Sequence, residues 1–166
     1  MFLMKILLSG GSGFIGKNLL NFLAQNYENI MVIGRNLNSI KEVKINKLKL
    51  DLNNPDANYY EIIKYNPDVF VHLAWEGIPD YSEEICKKNY FNTVKIIRML
   101  INFTSCSKII STGSCWEYND GKIIGKCEET EIINPSKAFS IYKSKVFQEV
   151  SKVTKNKNIT FNWLRL

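Results

Sequence analysis

Histidine is all but missing: His72 is the single one in 166 residues, and the four cysteines, Cys86, Cys106, Cys115 and Cys127, form no Cys-x-x-Cys pair. Without a second imidazole or a thiol motif no zinc site is expected, and the cysteines read as reduced thiols. Long apolar runs are absent too. None reaches the ~18–20 residues of a membrane helix, and Met1-Phe2-Leu3-Met4-Lys5 lacks the charged front and long apolar centre of a signal peptide. A cytoplasmic protein without a membrane partner is expected. Acidic residues are in deficit, 16 against 22 basic, for a net charge of +6. The lysines are dispersed, with some clustering at Lys143, Lys145, Lys152, Lys155 and Lys157, which reads as solvated helix faces before attraction of an anionic substrate; nucleic acid is not the expected partner. No repeat, low-complexity linker or domain boundary interrupts the chain. Residues 1–166 read as one domain, long enough to bury roughly 70% of the unfolded surface.

Apolar strand-like runs recur at Phe2–Leu8, Ile30–Ile33, Leu48–Leu50, Val69–Leu73, Lys108–Ser111 and Thr160–Leu166. Helical spacing lies between most of them, at Phe14–Gln25, Pro55–Tyr65, Ser82–Phe103 and Pro135–Lys155. Asn54-Pro55 and Asn134-Pro135 each read as a cap followed by a first-turn proline. Such alternation predicts an α/β fold, a doubly wound parallel (Rossmann-like) sheet of six strands ordered 3-2-1 with the fourth beside the first. Leu37–Lys44 is too short to assign, and Trp116–Asn134, with Asn119-Asp120-Gly121, reads as a long loop.

Where the first strand gives way to the first helix stands Gly10-Gly11-Ser12-Gly13-Phe14-Ile15-Gly16. Gly10-x-x-Gly13-x-x-Gly16 puts residues without Cβ where the chain must turn tightly, where backbone N–H groups must approach a pyrophosphate and where helix must pack on strand. In a strand–turn–helix context that spacing predicts a dinucleotide-binding turn.

Four further segments match, in chain order, the extended short-chain dehydrogenase/reductase family, the nucleotide-sugar epimerases, dehydratases and reductases. The resemblance spans essentially the whole chain. Asp51-Leu52 looks like the family's adenine-binding pair, with a turn-forming aspartate as the plainer reading. Val69–Trp75, ending Leu73-Ala74, is similar to the fourth strand whose small-residue end faces the cofactor; His72 reads as a strand residue rather than a catalyst. Asn89-Tyr90-Phe91-Asn92-Thr93 resembles Asn-x-x-Gly-Thr with Asn92 in place of glycine, and implies that Asn89 holds the site around the nicotinamide. Ile109–Tyr118 looks like the fifth strand and its catalytic hydroxyl: aligning Tyr118 with the family aromatic puts Ser114 in the catalytic slot, with Ser111 and Thr112 as alternatives.

Three departures qualify the resemblance. The second strand ends Val32-Ile33-Gly34-Arg35, where NAD-preferring members carry an aspartate; Gly34 in that slot and the guanidinium of Arg35 favour a 2′-phosphate, hence NADP over NAD. The dehydratases' Asp-Glu pair is replaced by Cys115-Trp116, which cannot act as that acid and base. The family's Tyr-x-x-x-Lys is missing. One register gives Phe139 and Lys143, another Ile141 and Lys145, and neither supplies the phenol; Tyr142 lies on the same general helix face and could contribute a displaced hydroxyl. Tyr118 and Lys122 meet the spacing by chance.

The resemblance therefore implies an NADPH-dependent reduction of a keto group on a nucleotide-linked deoxysugar, with Ser114, Tyr142 and Lys143 as catalytic residues and Lys143 or Lys145 on the nicotinamide ribose. An epimerase is the second enzymatic reading, and an NADP-binding chain without catalysis the third. The family's smaller C-terminal substrate region would follow Arg165, and the chain ends at Leu166. A homodimer through the two long helices is also expected, on apolar Ile96, Ile97, Leu100, Val146 and Val150.

Overall fold

The computed structural model describes residues 2–41, 44–54, 56–119 and 133–166. Its backbone follows the predicted alternation: β1 (Phe2–Ser9), α1 (Phe14–Asn26), β2 (Tyr27–Gly34), β3 (Asn46–Lys49), α2 (Tyr60–Tyr65), β4 (Val69–His72), α3 (Glu83–Phe103), β5 (Lys108–Gly113), α4 (Trp116–Asn119), α5 (Ala138–Lys155) and β6 (Thr160–Arg165). The six strands form one sheet in the order β3-β2-β1-β4-β5-β6, and each neighbouring pair runs parallel.

The central strands owe their unbroken apolar sequence to burial on both faces. Ile6, Leu7 and Leu8 of β1 and Phe70 of β4 are all but inaccessible. The side chains alternate between two cores. Leu7, Phe70 and Ile109 pack with Ile96, Ile97 and Leu100 of α3 and Val146 and Val150 of α5, while Ile6, Leu8, Ile30 and Val32 pack with Leu20 and Leu23 of α1. The edge strand β6 alternates between partly buried and exposed positions.

Burial of Ile96, Ile97, Leu100, Val146 and Val150 removes the basis on which helix-mediated association was expected: all five are spent in the α3/α5 core. The helix starts also need correction. α2 begins at Tyr60, because Asn54 and Asn58 side chains take the N–H groups of Asp56 and Tyr60 in local turns that compete with helix; Pro55 lies outside the described residues. α5 begins at Ala138, after an extended Lys137. The expected loop after Trp116 opens with a helical turn, Trp116–Asn119, and residues 120–132, including Lys122 and Cys127, lie outside the described set. No helix among the described residues is long and apolar enough to cross a membrane.

Candidate functional site

β1 lies between β2 and β4, so the sheet divides at its carboxyl end, the position where open parallel sheets form a crevice. The glycine turn sits there and its geometry excludes side chains. A Cβ on Gly10, whose φ is +77°, would stand 2.7 Å from Ala74 N, and one on Gly16 would stand 2.1 Å from Gly10 O. Gly13 N–H closes the turn on Gly10 O at 3.0 Å and starts α1, which has no side-chain cap and no acidic residue in its first turn. The positive end of α1 thus faces the crevice uncompensated by the protein.

A cleft of about 330 Å³ opens over this turn. The sequence-predicted residues Gly10, Gly13, Arg35, Asp51, Leu52, Leu73, Ala74 and Asn89 all line it. Phe14 and Ile15 are exposed on the first turn of α1, and Gly16 is buried where helix meets turn. Asp51 accepts the backbone N–H of Asn53, which fixes the loop after β3. Asn89 pins the loop after β4 at Glu76: its Oδ1 accepts Glu76 N–H at 2.7 Å and its Nδ2 donates to Glu76 O at 2.9 Å. Trp75, in the same wall, carries a buried indole N–H without a hydrogen-bond partner among the described residues.

His72 is structural. Its Nδ1 lies 2.6 Å from Ser9 Oγ on β1 and its Nε2 2.9 Å from Thr93 Oγ1 on α3, and burial, assisted by the charge of Lys143, lowers its pKa to about 3. A neutral imidazole here ties two strands to a helix.

Two of the three expected catalytic residues, Ser114 and Lys143, stand at the end of β5. The buried Lys143 donates from Nζ to Thr112 O at 2.8 Å and lies 4.0 Å from the centre of the Trp75 ring. Burial brings its pKa down to about 7, against an opposing pull from Glu117. Ser114 Oγ accepts the N–H of Trp116 at 3.2 Å, an arrangement that leaves the hydroxyl proton free to donate. Tyr142 is turned elsewhere: its hydroxyl donates to Glu83 Oε1 at 3.3 Å, and burial together with that carboxylate holds its pKa above the ordinary value. Phe139 meets Trp75, Tyr81 and Trp116 in edge-on and tilted ring contacts. Lys145 lies over the Tyr142 ring at 4.5 Å and is exposed. Lys143, and not Lys145, is therefore the lysine at the end of β5.

Sequence reading missed Glu117. It is fully buried, accepts Ser114 N–H at 2.8 Å and Trp163 Nε1–H at 3.0 Å, and pairs with Arg165 at 3.3 Å. A charged residue inside a presumed loop gave no sign of partners nearly 50 positions away. Glu76 and Asn53 were missed for the same reason, as was their link to Asn92 across the cleft wall.

Comparison with known proteins agrees with this geometry. CDP-abequose synthase of Yersinia pseudotuberculosis is 32% identical over 125 residues, covering 70% of this chain and 41% of that protein. GDP-6-deoxy-D-talose 4-dehydrogenase of Aggregatibacter actinomycetemcomitans is 42% identical over 71 residues, 43% of this chain and 21% of the relative. The chain thus spans less than half the length of these relatives. The fold is that of the UDP-N-acetylglucosamine 4-epimerase of Methanobrevibacter ruminantium M1, with a TM-score of 0.81 at 20% identity over 99% of this chain and 55% of the other. The family model for "NAD dependent epimerase/dehydratase family" matches residues 6–166, and the chain belongs to that family.

Proposed function

We propose that this chain is the cofactor-binding part of an NADPH-dependent oxidoreductase that reduces a keto group on a nucleotide-linked deoxysugar. The observation that carries the reading is the glycine cradle: positions where any Cβ would strike backbone at 2.1–2.7 Å, at an uncapped helix start, in a cleft with Arg35 in its wall. Backbone N–H groups and the helix dipole there suit a pyrophosphate. Gly34 leaves room and no repelling carboxylate for a 2′-phosphate, Arg35 would supply a bidentate partner, and Asp51 and Leu52, which line the same cleft, would read an adenine edge. The unpartnered Trp75 N–H is a donor that a bound polar group would satisfy.

The bound dinucleotide would supply hydride to a carbonyl carbon. Ser114, with its own proton free, would donate a hydrogen bond to the carbonyl oxygen as charge develops on it. Lys143 holds its ammonium against the Thr112 carbonyl, and a group titrating near 7 can give a proton at working pH. Tyr142 would have to leave Glu83 to act as the acid. The C4 dehydrogenase of a GDP-linked 6-deoxysugar among the relatives supports the reaction class, and Cys115-Trp116 in place of an acid–base pair speaks against a dehydratase.

A specific observation favours a second reading, NADP binding without catalysis: the phenol slot holds Phe139 inside an aromatic cluster, and Tyr142, one turn along the same helix, donates its hydroxyl to Glu83. One experiment separates the two. With NADPH and a nucleotide-linked 4-ketosugar, the complete protein should lose nicotinamide absorbance, and Ser114→Ala should slow that loss without loosening NADPH. Binding of NADPH without any turnover would favour the second reading.

A further inference from the structure

Asn92, which stands where the family pattern has glycine, begins a chain of contacts along the cleft wall. Asn92 Nδ2 donates to Asn53 Oδ1 at 2.6 Å, Asn53 Nδ2 donates to Glu76 Oε2 at 2.6 Å, and Arg35 Nη1 donates to Glu76 Oε1 at 2.7 Å. Lys88 Nζ stands 3.6 Å from the same carboxylate. Asn89 fixes the backbone of residue 76 from both sides. Three side chains, Arg35 from the end of β2, Asn53 from the loop after β3 and Lys88 from α3, thus converge on the carboxylate of Glu76 in the loop after β4, and Arg35, Asn53, Glu76, Asn89 and Asn92 all line the dinucleotide cleft.

Arg35 is the group that a 2′-phosphate would need, and its guanidinium is already engaged by an anion held in place by two asparagines. We propose that Glu76 is a cofactor-specificity residue: its carboxylate competes with the 2′-phosphate of NADP for Arg35 and so reduces the preference for NADP over NAD that Arg35 would otherwise confer. This rests on the dinucleotide reading above. A carboxylate anchored by Asn53 loses little freedom in holding Arg35, which makes it a better competitor than a loose surface glutamate. A 2′-hydroxyl makes no such demand on the guanidinium, so NADH should be indifferent to Glu76. The Arg35 side chain is 55% exposed and that of Glu76 27%, so solvent screening keeps the competition modest.

The test is calorimetric titration of the wild-type chain, Glu76→Gln, Arg35→Ala, the double variant and Asn92→Ala with NADPH and with NADH at low salt. Glu76→Gln should tighten NADPH about 3- to 5-fold, the range of a partly exposed ion pair, with less than twofold change for NADH. In the Arg35→Ala background that gain should vanish. Asn92→Ala, which removes the support of Asn53 without touching a charge, should act in the same direction and guards against a misfolded Glu76 variant. Looser NADPH in Glu76→Gln, an equal gain for both cofactors, or a gain that persists without Arg35 would overturn the proposal while leaving dinucleotide binding standing. A wild-type chain that binds neither dinucleotide would overturn both.

Discussion

At the residue scale, the account turns on single atoms that are present or missing. Gly16 has no room for a methyl group beside Gly10 O, and Gly16→Ala should cost about 1–3 kcal/mol or more through forced movement of the turn, read as a lower midpoint in urea unfolding. Lys143 offers a test by pH. Burial lowers its pKa from 10.5 to about 7, so between those values the unfolded chain holds a proton that the native chain lacks. Stability from this group is therefore complete above 10.5, where both states are neutral, and is lost as pH falls through about 7. Thermal unfolding followed from pH 6 to 10 should show that rise, and Lys143→Met should flatten it and raise the melting temperature at pH 7; an unchanged slope would mean the ammonium is hydrated in the native state. The glycines were legible in the sequence because their steric demand is local. The environment of Lys143 was not, because Trp75 and Thr112, which enclose it, come from the loop after β4 and from β5.

At the element scale, one carboxylate joins β5, α4 and β6. Glu117 receives N–H groups from Ser114 and Trp163 and the charge of Arg165, and its removal would leave those donors and a largely buried guanidinium unpaired. Glu117→Ala should cost about 3–5 kcal/mol. Trp163→Phe, which deletes one of those donors and leaves a smaller aromatic ring in its place, should cost nearer 1 kcal/mol. Comparable losses in the two variants, measured by denaturant unfolding, would show that the ring packing dominates and not the carboxylate. Periodicity in the sequence located the strands and long helices to within a few residues, since an apolar run buried on two faces has no other reading. It misjudged where α2 begins, because Asn54 and Asn58 satisfy backbone N–H groups in turns that imitate a cap, and it started α5 three residues early, since Lys137 is still extended. The short α4 and its Glu117 stayed hidden in a segment whose partners lie far along the chain.

At the scale of the whole molecule, strand order decides where chemistry can occur. With β1 between β2 and β4, the ends of three strands and the start of α1 meet in one cleft, while Ser114 and Lys143 gather at the end of β5 behind Trp75. The proposed preference for NADP is tested at the end of β2: Arg35→Ala should weaken NADPH by about 1–3 kcal/mol and leave NADH nearly unchanged, and equal losses for both would remove Arg35 from the 2′-phosphate site. The claim beneath all of this is that the glycine turn cradles the phosphates of a dinucleotide, and Gly13→Asp tests it most directly. Gly13 is exposed, its backbone is extended at φ −78° and ψ 177°, and a Cβ there would meet only Gly10 O, at 3.3 Å. Aspartate is a favoured residue at such a helix start, where its charge opposes the positive helix end and should hold or raise stability by about 0.3–1 kcal/mol. The same charge would confront the phosphates. Titration of this variant with NADPH, alongside a thermal melt, should show an intact or stabilised fold with NADPH binding weakened about 100-fold or more, as expected for like charges brought together; an intact fold that still binds NADPH with wild-type affinity would contradict the assignment of the cradle.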